Sequence, residues 1–567
     1  MCGIIAIFDR EGSPLLAEAA VKELSSRMTS RGPDHSAVHC RPTYALGHER
    51  LSIMDPSPHA HQPLVGASLG VPALDGLAAV VNGEIYNFRA LLASPEVAAL
   101  DAPPVTGSDS EVVLHLARAY GPDPANWVPR LHGMFALVVV DETTGEYVAA
   151  RDSVGIKPLY MGTTADGRVM FASELKAIHD NCEKVQLFPP GHFYTKAGGF
   201  VRFYEPRWDT DDMGGLPPVK DEEVRDSLIE AVRLRMMSDV PYGALLSGGL
   251  DSCITCSVMK KLAEEQGIDF HSPGLPKGKL FHTFTVGMGN SPDIMAARAM
   301  AKVLGTEHHE RIFTPEEALS LIPTIVYRSE TYEPELLRSC IPNYFLAELA
   351  SKYVKMVLTG EGADELFSGY QYFFDAPTDD GGAALQKENR RIFSHLHQAN
   401  LLRADRMTMS HGLEARVPFL DTTFVDIAMR IDPDRKVIKD GRIEKQMLRD
   451  LFSSAEYGLP NALLYRTKAM QCEGVGSNWV EVIQAHCEAQ VSDEEFEAAQ
   501  SKTNPPATKE ECYYRRIFDA HFPRMDHFVH VWEGGCRSGG ATWQSKRYTR
   551  AGLIDPNSVN HELQASV

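Results

Sequence analysis

ALLSGGLDSC (Ala244–Cys253) decides the reading of the second half of this chain. An apolar run ends in Ser-Gly-Gly-Leu-Asp-Ser and passes straight into a helical pattern. Gly248 and Gly249 let the backbone turn tightly and bring N–H groups close to an anion. The helix N-terminus that follows adds about half a positive charge. Asp251 can hold a divalent cation that bridges phosphates. GLPKGKL (Gly274–Leu280), the nearest approach to a Walker loop, has the wrong spacing and lacks a hydroxyl residue after its lysine.

Outward from the loop the pattern is regular. Val224, Leu228, Val232 and Met236 recur every four residues, which predicts an amphipathic helix. Strands are expected over Val240–Leu246, Phe281–Val286 and His309–Phe313. Helices are expected over Ile254–Glu265, Asp293–Leu304 and Pro315–Val326, and Val354–Gly360 is a further buried strand. That alternation predicts an α/β unit with a parallel sheet, whose ligands sit at the carboxyl ends of strands where the order reverses. TGEGADELFSGY (Thr359–Tyr370) leaves such a strand end with Glu361, Asp364 and Glu365. Three carboxylates there would repel one another, so a metal or a cationic substrate is expected beside them.

Residues 2–208 read differently. Short apolar runs such as CGIIAIF, LAAVVNGEIYN and MFALVVVD are separated by turn residues, with helical patches at Ala19–Met28 and Ser110–Tyr120. This predicts an α+β sandwich of antiparallel sheets. Residues 209–220 are polar and rich in Gly and Pro, which marks a linker. The second domain then runs over 221–532, and 533–567 is expected to be a flexible tail.

Lys and Arg number 56 against 76 Asp and Glu, a net charge of −20. Nucleic acid and anionic membrane are therefore poor partners. No apolar run approaches the ~20 residues of a membrane span. The start of the chain lacks the basic region of a signal peptide. Ten scattered cysteines fit a reducing compartment, so a cytoplasmic protein is expected.

Cys2 follows the initiator methionine. If that methionine is removed, the cysteine's own α-amine, which titrates near 7.7–8.0, can take the thiol proton. Met-Cys alone arises by chance in many proteins. Here RGPD (Arg31–Asp34), HERLSIMD (His48–Asp55), VNGEIYN (Val81–Asn87), TGSDSE (Thr106–Glu111), ARDSVGIKPLY (Ala149–Tyr160) and FASELKA (Phe171–Ala177) follow in order. Together they resemble the glutaminase domain of the N-terminal-nucleophile glutamine amidotransferases. The resemblance implies that Cys2 attacks the glutamine side-chain amide and that Asn82 and the Gly83 N–H hold the oxyanion. Arg50 would take the α-carboxylate, Glu84 and Asp109 the α-ammonium, and Leu51, Ser52, Ile53 and Met54 would complete the glutamine site.

SGGLDS resembles the pyrophosphate loop of the ATP pyrophosphatases, which transfer AMP. With LRADRMTMSHGLEARVPFLD (Leu402–Asp421) and YRTKAMQCEGVG (Tyr465–Gly476), the chain from Cys2 to about Phe522 resembles the glutamine-hydrolysing asparagine synthetase family. That resemblance implies an N-terminal-nucleophile-hydrolase-like first domain and an adenine-nucleotide α-hydrolase-like second one. Glutamine, aspartate and ATP would be the substrates, with Mg²⁺ as cofactor. Ser247, Gly248, Gly249, Leu250, Asp251 and Ser252 would bind pyrophosphate. Leu246, Val286, Thr359 and Gly360 would line the nucleotide site, and Asp251 and Asp364 would bind Mg²⁺. Lys468 would stabilise the adenylation transition state, Arg338 would position phosphates or substrate, and Glu361 would accept a proton when ammonia attacks β-aspartyl-AMP. It also suggests a homodimer. A related ligase acting on another acid, such as a β-lactam-forming synthetase, needs no working Cys2/Asn82/Gly83 set. A catalytically dead nucleotide binder would bind ATP without releasing pyrophosphate. Cys253-Ile-Thr-Cys256 lacks a second such pair and reads as two buried thiols.

Overall fold

Ile4, Ala6 and Phe8 alternate along the strand Gly3–Phe8 and enter one core with Leu46, Val80, Val138, Ala149 and Phe171. These side chains come from two sheets, so the core is the layer between them. The structure, a computed structural model, describes residues 2–9, 16–210, 217–466, 468, 474–476, 478–529 and 543. The middle of the expected linker (211–216) and the expected tail apart from Trp543 lie outside the described residues.

The chain divides into two compact units. One holds Met1–Glu205 with Ser238–Val240 and Thr408–Glu414; the other holds Pro206–Met237, Pro241–Met407 and Ala415–Val567. In the first unit, one six-stranded sheet runs Lys184–Leu187, Tyr160–Thr163, Val169–Ala172, Gly3–Phe8, Tyr44–Arg50, His35–Cys40. The other runs Gly199–Arg202, His192–Thr195, Tyr147–Arg151, Gly133–Asp141, Leu77–Ile85, Leu64–Val65. Neighbours pair antiparallel, with Gly3 opposite Glu49 and Asn82 opposite Ala136. The helix Glu18–Ser26 buries Val21 and Leu24, and Val112–Tyr120 buries Val112, Val113 and Leu116.

The second unit has a five-stranded sheet in the order Glu307–Ile312, His282–Gly287, Tyr242–Leu245, Met356–Leu358, Glu414–Arg416. The first four strands pair parallel. From Tyr242–Leu245 the chain builds outward on one side and then returns to the other. The order therefore reverses between Tyr242–Leu245 and Met356–Leu358, and the crevice at their carboxyl ends is where ligands bind in such sheets.

Three details differ from the sequence reading. The helix after SGGL begins at Leu250, not Ile254, which places Asp251 and Ser252 in its first turn. The single helix expected over 315–326 is two, Pro315–Ser320 and Ile322–Ser329. Pro323, with no N–H to donate, sits in the first turn of the second, where that loss is harmless. The strand Glu414–Arg416 had no distinct signal in the sequence.

Candidate active sites

In the first unit, Cys2 precedes the central strand Gly3–Phe8 and is 7% exposed. Its backbone nitrogen donates to Asn82 Oδ1 at 2.9 Å, and its sulfur lies 4.0 Å from the Leu51 carbonyl. Arg31, fully buried, donates from Nε to the Cys2 carbonyl at 2.9 Å and from its terminal nitrogen to Glu174 at 2.8 Å. Ser173 Oγ takes the Ile4 N–H at 3.0 Å and lies 3.5 Å from Asn82 Nδ2. The Cys2 backbone is thus held at its nitrogen and its carbonyl by side chains distant in sequence. Burial pushes the Cys2 thiol up, against a smaller lowering by the chain's N-terminal charge and the Leu51 carbonyl contact. Such a thiol needs a base close by to become nucleophilic.

Gly83 is required where it stands. Its φ is +143°, and a Cβ there would lie 1.9 Å from the Met134 carbonyl oxygen. Arg50, also buried, holds the following turn by donating to Ser57 O at 3.0 Å and to Asp55 O at 2.6 Å. Asp34 ties RGPD to that segment by accepting from Ser52 N at 2.7 Å. Leu51, Ser52, Ile53, Met54 and Glu84 are buried around it, and Asp109 accepts the Ile85 N–H at 2.7 Å.

In the second unit, a cavity of about 180 Å³ opens at the switch point between Tyr242–Leu245 and Met356–Leu358. Leu246, Ser247, Gly249, Leu250, Asp251, Ser252, Val286, Thr359, Gly360, Glu361, Asp364 and Lys468 all line it. Gly248 turns the loop with φ +72°; a Cβ there would lie 2.4 Å from Ala296 Cβ. Gly360 brings the second loop against the first, since a Cβ there would lie 2.7 Å from Asp251 Cβ.

The charges in this cavity are paired. Lys445 reaches Asp251 at 2.5 Å and Asp364 at 2.6 Å, and Lys468 holds the other oxygen of Asp364 at 2.8 Å. Burial acts to raise the Asp364 carboxyl, but the two ammonium groups outweigh it and hold it well below the usual carboxylate range. Burial likewise acts to lower Lys468, and the charges of Asp364 and Asp251 more than reverse that. Lys468 donates its backbone N–H to Glu444 at 3.0 Å and accepts at its carbonyl from Gln371 at 2.9 Å, which fixes its stem. Arg403 holds Glu361 at 2.5 Å.

Gly248, Glu365 and Arg338 are not among the residues that line the cavity. Arg338 is locked in a two-pronged pair with Glu510, at 2.9 and 2.5 Å, and Tyr514 donates to the same carboxylate at 3.0 Å. Its helix, Pro334–Ala350, turns Glu335, Ser339, Asn343 and Leu346 to the cavity. At 100° per residue Arg338 falls about a quarter turn off that face. Besides Lys468, the basic groups Lys445, Arg403, Arg449 and Arg466 line the cavity, and the sequence assigns these four no role. RIEKQMLRD (Arg442–Asp450) offers only scattered charge, with no spacing that marks Lys445 as a ligand. Cys253 and Cys256 are buried free thiols, and burial pushes Cys253 up to about 12.

A buried thiol beside Asn82 in a double antiparallel sheet, and a phosphate-type loop at the switch point of a parallel sheet, define an amidotransferase unit joined to an ATP-dependent synthase unit. Two family models cover those units: "Glutamine amidotransferase domain" over residues 1–190 and "Asparagine synthase" over 223–383 and 377–553. The chain belongs to the glutamine-hydrolysing asparagine synthetase family. It is 41% identical over 533 residues to "Asparagine synthetase [glutamine-hydrolyzing] 2" of Oryza sativa subsp. japonica, covering 92% of this chain and 86% of that one. It is 40% identical to "Asparagine synthetase [glutamine-hydrolyzing] 3" of Arabidopsis thaliana, covering 92% and 88%. The Zea mays "Asparagine synthetase [glutamine-hydrolyzing]" is 40% identical, covering 92% and 87%.

Proposed function

We propose that this chain converts L-aspartate, L-glutamine, ATP and water to L-asparagine, L-glutamate, AMP and diphosphate. Residues 2–208 release ammonia from glutamine, and residues 221–532 adenylate aspartate and use that ammonia. The observation that carries the reading is the convergence of Asp251 and Asp364 on one cation beside the SGGLDS helix start.

At the first site, Cys2 attacks the amide carbon of glutamine. Asn82 Nδ2 and the Gly83 N–H stabilise the developing oxyanion, a contribution of about 2.7–4 kcal/mol per donor. The Cys2 nitrogen already bonded to Asn82 Oδ1 becomes the free amine once Met1 is removed, and it carries the thiol proton to the leaving ammonia. Water then releases glutamate from the thioester. Arg50 binds the substrate carboxylate, Glu84 and Asp109 its ammonium, and residues 51–54 the stem.

At the second site, two carboxylate oxygens converge within 2.6 Å of one ammonium nitrogen. A pair of carboxylates completed by phosphates is a donor set that suits Mg²⁺, so Asp251 and Asp364 fit its site. When bound, Mg²⁺ neutralises phosphate charge. Residues 247–252 cradle the pyrophosphate, with Leu246, Val286, Thr359 and Gly360 around the nucleotide. Lys468 faces the charge that builds on the phosphates as the aspartate β-carboxylate attacks the α-phosphorus and diphosphate leaves. Ammonia then attacks the β-carbonyl of β-aspartyl-AMP, Glu361 accepts its proton, and AMP departs.

Free ammonia is largely protonated near neutral pH, so its release and use by one chain preserve a neutral nucleophile. No helix among the described residues is long and apolar enough to cross a membrane. The same reading takes the protein as a cytoplasmic homodimer that binds no nucleic acid. Incubation with amide-¹⁵N-glutamine, aspartate and ATP tests it. Labelled asparagine, glutamate, AMP and diphosphate should appear together; ADP in place of AMP would overturn the adenylation step.

A further inference from the structure

Lys445 is an almost wholly buried charge in the synthase cavity. Its side chain is 2% exposed, and its ammonium bridges Asp251 at 2.5 Å and Asp364 at 2.6 Å. It is set there by the backbone. Lys445 lies in the left-handed region at φ +57°, a conformation that is unfavourable for a residue with a Cβ. Space for its stem is also built in. A Cβ on Gly369 would lie 2.1 Å from Lys445 Cε and 2.1 Å from Asp364 Oδ1.

That ammonium stands where the proposed Mg²⁺ would bind. A magnesium ion needs carboxylate oxygens at 2.0–2.1 Å, so it and the ammonium cannot share the position. A bare divalent ion would have to expel a buried lysine into a cavity where three further carboxylates are already engaged. Glu361 is held by Arg403, Glu444 by Arg449 and Asp293 by Arg466. An uncompensated buried ammonium is costly. A triphosphate changes the balance, because its oxygens give the lysine new partners as the metal takes the carboxylates.

We propose that Lys445 is a resident counter-cation that closes the Asp251–Asp364 pair to a divalent ion until nucleotide phosphates draw the ammonium away, so that metal and nucleotide enter together. This rests on the assignment of Asp251 and Asp364 as the metal ligands. It makes Lys445 a positioning residue whose effect shows in metal binding before any turnover.

The test is titration of the full chain with Mn²⁺, followed by the loss of the free-ion electron paramagnetic resonance signal. Without nucleotide, Lys445→Met should bind Mn²⁺ at least tenfold more tightly than the wild type, and the gain should vanish in Lys445→Met/Asp364→Asn. Lys445→Gln should show the same gain. With α,β-methylene-ATP the wild type should take up Mn²⁺, and Asp364→Asn should not. Equal nucleotide-free affinity in the wild type and both lysine variants would overturn the role of Lys445 while leaving the ligand assignment standing. If Asp364→Asn retains the nucleotide-dependent site, the ligand assignment fails and the proposal with it. If both lysine variants unfold, the wild type decides. An Asp364-dependent Mn²⁺ site without nucleotide overturns the proposal, and its appearance only with the analogue supports it.

Discussion

Cys2 is held by single hydrogen bonds: its nitrogen on the Asn82 amide, its carbonyl on the Arg31 guanidinium, its sulfur near the Leu51 carbonyl. Asp251 and Asp364, by contrast, are held by crossed ion pairs to Lys445 and Lys468. On the proposed reading the first site needs a nucleophile whose charge appears only during reaction, and burial pushes the Cys2 thiol up. On the same reading the second would accept a polyanion and a metal together, and its charges are present from the start, balanced by Lys445 and Lys468. The covalent site is then preorganised, on the proposed reading, by fixed hydrogen bonds and the ion-binding site by replaceable counter-ions.

The most direct way to break this division is to remove one reactive group at a time. Cys2→Ala should lower glutamine-dependent asparagine formation by at least ~10⁴-fold, the scale of losing a covalent nucleophile. Ammonia-dependent synthesis should stay within about twofold of the wild type on the same stopped-time assay. Loss of both in a folded variant would show that the two sites are not separable. The mirror variant, Asp251→Asn, should lower synthesis from either nitrogen source by about 10³-fold, as removal of a charge-stabilising ligand does. Glutamate release should persist in that variant, and undiminished synthesis would refute the metal role.

Arg338 sharpens the contrast between a functional and a structural charge. Its pair with Glu510 is buried, with both side chains no more than 10% exposed. Breaking one partner of such a pair costs about 3 kcal/mol or more, whereas replacing both with apolar groups can restore stability. Arg338→Leu should therefore lower stability by about that amount, and Arg338→Leu/Glu510→Leu should recover most of it in chemical unfolding. At a temperature where all fold, the KM for ATP should not move. A specific rise in that KM would return Arg338 to the phosphate site.

The same residue shows where sequence reading stops. SGGLDS and TGEGADELF are contiguous, and contiguous loops on adjacent strands come together once the sheet order is known. The sequence places Arg338 from a short segment that does not show which helix face meets the cavity, and the helix Pro334–Ala350 turns Ser339 there instead. Lys445 stands in no quoted motif, and Arg403 lies in LRADRMTMSHGLEARVPFLD without a spacing that names its partner; the two find theirs across 194 and 42 residues of sequence. Antiparallel sheets in one half and a parallel sheet in the other were legible in the apolar runs. The break at Leu321 and the short strand Glu414–Arg416 were not, because tertiary packing sets the ends of short elements.

A smaller effect comes from pH and concerns the scaffold beneath the first site. His48 is fully buried on Tyr44–Arg50, two residues before Arg50, with Nε2 at 3.2 Å from the Val81 carbonyl. Burial lowers it to about 3, and the nearby Arg50 charge acts in the same direction against the Val81 contact and Glu49. In the unfolded chain it titrates near 6.5. Between those values the unfolded state binds the extra proton, so stability falls as the pH drops. From pH 7 to pH 5 the loss amounts to about 2 kcal/mol for this one group. Native-state hydrogen exchange of Tyr44–Arg50 should show that loss in the wild type and a flatter dependence in His48→Gln. His308, lowered by burial to about 4 on Glu307–Ile312, provides the internal control in the second unit. His48→Gln should flatten only the first strand and His308→Gln only the second. If either variant flattens both strands, acid opens the two units as one cooperative block, and the separation between the sites does not extend to their stability.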